Sequence, residues 1–166
     1  MSPASRSTDK PEEDMTRKTA RQIAVQLLFS MDLNELSAGE AFELFFSPEH
    51  YETLRGEDTG FEEQPDEKAL SYIRRLVETV SEHLPALDDQ IASYARGWKT
   101  ERLSAATRAI LRTALCEILY FDDIPEGASV NEAVELAKTF DSPEAAAFIN
   151  GVLGSFLRAE KPAQTE

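Results

Sequence analysis

The amino-acid sequence predicts an all-α fold: a single globular helical protein of about seven helices in two small bundled lobes. Three observations carry this expectation. Apolar residues recur three and four positions apart in one segment after another. Ser, Thr, Pro and Gly stand where those segments begin and end. No run shows the two-residue alternation of a strand. A length of 166 residues and an apolar share of 42% are enough to build a core.

Residues 1–15 mix Ser, Pro, Asp, Glu and Lys without periodic apolar positions and are expected to form a disordered tail. From Thr16, a plausible N-cap, the stripe Ile23, Ala24, Leu27, Leu28 and Met31 predicts a helix. Ser37-Ala-Gly-Glu40 reads as a capping box for a short helix through Phe45, stopped by Ser47-Pro48. Residues 49–65 are acidic and contain glycine, which predicts a mobile loop. Leu70, Ile73, Val77, Val80 and Leu84 give the most regular helix, ended by Pro85. A shorter one runs from Asp88 to Gly97 with Ile91 and Tyr94.

Residues 103–121 are apolar around most of a helix, with Arg108, Arg112 and Glu117 as its polar edge, so this helix is expected at the centre of a bundle. Ile124–Gly127 is a turn, and Ser129-Val-Asn-Glu132 reads as a second capping box. Ser142-Pro143 opens the final helix, which carries Phe148, Val152, Leu153 and Phe156. Gly151 and Gly154 inside it are unfavourable by up to about 1 kcal/mol each relative to Ala, and close helix packing is the expected compensation.

The net charge of −14 disfavours phosphate and favours basic protein partners. The charge is segregated, however. From Asp32 to Lys68 twelve acids stand against Arg55 and Lys68, a balance of −10, whereas Arg17, Lys18 and Arg21 follow one another with no acid between Met15 and Gln22. Cations in a first helical turn oppose the macrodipole by about 0.3–1 kcal/mol each. Bound phosphate explains such a start; solvated surface charge is the plainer reading.

Catalytic signals are poor. His50 and His83 lie in unrelated settings, no cluster has metal-ligand spacing, and no glycine-rich loop precedes a lysine. Cys116, the lone cysteine, falls on the most apolar helix, where a buried thiol is expected. The pairs Asp88-Asp89 and Asp122-Asp123 suit caps better than acid–base chemistry. No enzyme activity and no cofactor are expected. One cysteine, no 18-residue apolar run and no signal-like N-terminus fit a cytoplasmic protein. Tyr94 and Phe148 suit either base stacking or the core, and Arg108 and Arg112 suit either a phosphate track or a salt-bridged edge.

The run VNEAVELAKTFDSPEAAAFINGVLG, from Val130 to Gly154, closely resembles the bacterial transcription antitermination factor NusB family. So do RKTARQIAVQLLFSMD at 17–32, the helix AILRTALCEILYF and the turn IPEGA. The resemblance spans about residues 16–158. It implies an all-helical RNA-binding domain over 16–160, dividing near Asp66 into lobes of about 16–65 and 66–160, with 161–166 as a tail. It further implies binding of boxA RNA with the ribosomal small-subunit protein NusE, within an RNA polymerase complex that reads through terminators in ribosomal RNA operons.

The family's basic helix start falls on Arg17, Lys18 and Arg21, with Thr19 replacing a further basic residue. Tyr94 and Phe148 match aromatic positions near the RNA surface, and Glu144 an acidic one beside it. Thr107 stands where a family member has an acidic contact. Arg108 and Arg112 remain candidates for RNA or partner contact. A homodimer of the free protein stays an alternative state. A helical protein-interaction module without specific RNA binding is the alternative function. A similar domain also precedes some ribosomal RNA cytosine methyltransferases, whose cofactor-binding domain has no counterpart before Glu166.

Overall fold

The computed structural model describes residues 16–47, 65–95, 98 and 102–160. The expected tails at 1–15 and 161–166, and the expected loop apart from Pro65, lie outside them. The described residues contain helices and no strand: α1 (Arg17–Asn34), α2 (Ala38–Phe45), α3 (Glu67–Glu82), α4 (Leu84–Tyr94), α5 (Ala105–Tyr120), α6 (Glu126–Phe140) and α7 (Pro143–Glu160). The chain divides into two compact units between Val77 and Glu78, inside α3 and later than Asp66. The first half of α3 packs with α1 and α2, through ring contacts that Arg17 and Phe42 make with Tyr72 and Arg74.

In the first unit, Thr16 caps α1 by accepting from the Thr19 amide at 3.1 Å. Ala20, Ile23, Ala24, Leu27 and Leu28 form the buried stripe. Glu35 ends the helix in the left-handed region, φ 55°. Ser37 and Glu40 complete their capping box: the Glu40 amide donates to Ser37 Oγ at 3.1 Å, and the Ser37 amide to Glu40 Oε1 at 2.9 Å. Asp66 Oδ1 accepts from the Ala69 amide at 2.9 Å and so caps α3. Leu76, absent from the expected stripe, is fully buried beside Ile73 and Val77.

In the second unit, α5 is the central element: Ile110, Leu111, Ala114, Leu115, Cys116 and Ile118 are all buried. It packs against α4, α6 and α7, and α6 packs against α7. Ser104 caps α5 and Ser142 caps α7, each hydroxyl accepting a backbone N–H at 3.0 Å. Asp141, between α6 and α7, donates its amide to the Ala137 carbonyl. Its carboxylate accepts from both Ser104 Oγ and Thr107 Oγ1 at 2.8 Å.

Four local expectations are corrected. Pro85 does not end a helix; it lies in the first turn of α4, where its missing N–H is not needed, so α4 begins at Leu84 rather than Asp88. Ser129 is no cap, because Pro125 with its fixed φ precedes the helix start at Glu126. Glu117 is no polar edge: it is fully buried, and Ser129 Oγ donates to its Oε1 at 2.7 Å. Gly151 is not closely packed, since a Cβ there would meet nothing within 4 Å, and at Gly154 it would meet only the tip of Arg158.

Two stability measurements follow. Ser129→Ala removes a donor from a buried carboxylate and is expected to destabilise by about 1–3 kcal/mol in denaturant unfolding. Gly151→Ala has open space and a helical backbone, so it is expected to stabilise by up to about 1 kcal/mol, the opposite sign to a packing-critical glycine.

Candidate nucleic-acid interface

The first turns of α1 hold cations and no acid. Arg17 and Lys18 are exposed, while Arg21, one turn on, is 95% buried, with 5% of its surface accessible. The guanidinium carbon of Arg17 lies 4.2 Å from the Tyr72 ring centroid, and that of Arg21 lies 5.9 Å from it. One buried aromatic on α3 thus gathers two arginines at a helix end whose dipole repels them. A guanidinium over an aromatic face keeps its N–H groups in plane with planar acceptors, and of the two arginines Arg17 is the exposed one. Thr19, between Lys18 and Arg21, accepts a hydrogen bond from the Thr16 hydroxyl.

In the second unit, Tyr94 is the last residue of α4 and half-buried. Its ring meets Phe156 edge-on, centroids 5.7 Å apart at 89°. Its hydroxyl donates to Glu160 Oε2. That hydrogen bond, with lesser help from desolvation and the Glu160 charge, raises the phenol above its ordinary pKa. Phe148 lies two turns before Phe156 on α7 and is partly exposed. Glu144, in the first turn and exposed, is four residues before Phe148 and so on the same face.

The remaining candidates are engaged within the unit. Arg112 makes a two-pronged ion pair with Asp88, both contacts 2.9 Å. Arg108 donates to the Leu103 carbonyl at 2.6 Å. Thr107 is buried against Asp141. Of the two readings open for this arginine pair, the salt-bridged edge describes Arg112.

Sequence reasoning overlooked Tyr72, Asp141 and Glu160, and took Asp88 for a cap where it lies inside α4 as the ion-pair partner of Arg112. Tyr72 sits in the α3 apolar stripe and reads as core, and the other three partner residues 24 to 66 positions away, a separation no local pattern reveals. Among the described residues no group of three or more His, Cys, Asp or Glu is placed to hold a metal ion. No helix there is long and apolar enough to cross a membrane.

The sequence profile of the NusB family matches residues 18–158. The transcription antitermination protein NusB of Symbiobacterium thermophilum is 40% identical over 149 residues, covering 90% of this chain and 94% of that protein. Among solved structures, T. maritima NusB superimposes with a TM-score of 0.74 at 27% identity, covering 90% of this chain and 95% of that one. A complex of antitermination factors NusB and NusE with double-stranded RNA gives 0.71 at 26% identity, covering 86% and 96%. From a profile that spans nearly all the described helices and a relative matched almost end to end, it follows that this chain belongs to the NusB family of transcription antitermination proteins.

Proposed function

We propose that this chain is a non-catalytic RNA-binding adaptor that takes up boxA-type leader RNA together with the ribosomal small-subunit protein NusE. In this role it promotes read-through by RNA polymerase in ribosomal RNA operons, in the bacterial cytoplasm. The observation that carries the reading is the pairing of Arg17 and Arg21 on Tyr72 beside Lys18, at a helix start that stability alone would fill with acids. In the second unit Tyr94 and Phe148 supply faces on which bases stack, with Glu144 beside Phe148 as a further contact to RNA or partner. The solved complex of a relative with NusE and RNA supports the same pair of ligands.

The net charge of −14 fits a basic protein partner, since opposite charge steers association and offsets the repulsion that RNA meets on an acidic surface. RNA binding by the chain alone is therefore weak, and binding with NusE is tight.

The test is fluorescence anisotropy on boxA and scrambled RNA, with and without NusE, at two salt concentrations. Charge reversal at the exposed Arg17 and Lys18 to Glu is expected to weaken boxA binding roughly tenfold or more. It should also flatten the salt dependence by about 0.7 per lost phosphate contact. Affinity unchanged by NusE overturns the cooperative model. No selectivity for boxA with NusE bound makes the chain a protein-interaction module instead.

A further inference from the structure

The contact between Tyr94 and Glu160 joins the end of α4 to the last residue of α7. The same ring makes a T-shaped contact with the buried Phe156. Glu160 is exposed, and among the described residues no cation pairs with it. Arg158, two positions earlier, is turned back on its own helix, donating to Ser155 Oγ at 3.3 Å. A carboxylate therefore stands at hydrogen-bond distance from the hydroxyl of a partly exposed aromatic ring. The raised pKa of the phenol reports the same closeness.

Two consequences oppose each other for a nucleic acid arriving at this ring. The hydrogen bond orients the ring, which favours stacking. The negative charge repels the phosphates that flank any stacked base, at a range well inside the screening length at physiological salt. An amide at the same position would keep the acceptor and lose the repulsion. Repulsion therefore dominates the difference between Glu and Gln here. A hydrogen bond between exposed partners adds little to folding, so the pair is poorly explained as a structural tie.

We propose that Glu160 is an affinity-limiting gate on RNA binding at Tyr94: its carboxylate holds the phenol and repels the phosphates of an incoming strand, so that RNA engages this ring only when Glu160 is displaced or neutralised. This rests on the reading that Tyr94 stacks a base.

The experiment compares wild-type protein, Glu160→Gln and Tyr94→Ala for binding to a single-stranded boxA oligonucleotide at low and high salt, by anisotropy. Glu160→Gln is expected to bind roughly three- to tenfold more tightly at low salt, with the gain shrinking toward none at high salt. Its thermal midpoint should match wild type. Its ultraviolet tyrosine titration should show one phenol ionising at lower pH, which establishes that the contact exists in solution. Affinity unchanged or reduced in Glu160→Gln, while Tyr94→Ala weakens binding, overturns the gate and leaves base stacking intact. Tyr94→Ala without effect overturns the stacking reading, and the gate with it.

Discussion

The second unit depends on how a carboxylate is accommodated inside a nearly all-apolar helix. α5 is buried over most of its surface, and Glu117 sits on it with no exposure. Burial of a carboxylate without partners is costly by several kcal/mol, so the surrounding helices must bring donors to it. Ser129 on α6 is one such donor. This requirement specifies the register of α6 on α5 more sharply than the apolar contacts do, because aliphatic side chains tolerate a slide that a hydrogen bond does not. With α6 set, α7 follows through the tight corner at Asp141, and with α7 come Phe148 and Phe156.

Most of the architecture was legible because amphipathic spacing and helix caps are local signals. Thr16, the Ser37–Glu40 box and Ser142 cap helices as the pattern indicates. Local rules failed where a second local rule or a distant partner competed. Ser129 and Glu132 match a capping box, but the fixed φ of Pro125 starts the helix earlier and Glu117 claims the hydroxyl. Pro85 is a breaker in a helix interior and a favoured residue in a first turn, and spacing alone does not distinguish these places. Gly151 looked like a packing residue, yet it borders open space; nothing in its packing explains why it is glycine.

The candidate site was legible in part. Arg17, Lys18 and Arg21 stood out because they contradict the helix dipole, a conflict visible in one turn of sequence. The aromatic that gathers two of them did not, since Tyr72 obeys the core periodicity of α3 while its ring also carries both guanidinium contacts. Arg112 and Arg108 share a face at four-residue spacing, and only their distant or backbone partners, Asp88 and the Leu103 carbonyl, distinguish their roles. Glu160 carries no pattern at all: its meaning comes from a tyrosine 66 positions away.

Asp141 and its neighbour Ser142 close three helix ends between them. The Asp141 amide completes the last turn of α6, its carboxylate receives two hydroxyls from the first turn of α5, and Ser142 caps α7. Helix ends ordinarily fray one by one, each opening at small free energy. Here an opening at Asp141 releases the end of α6 and the start of α5 together. The corner therefore makes one event of two fraying motions that would otherwise be independent, directly beside the capped start of α7.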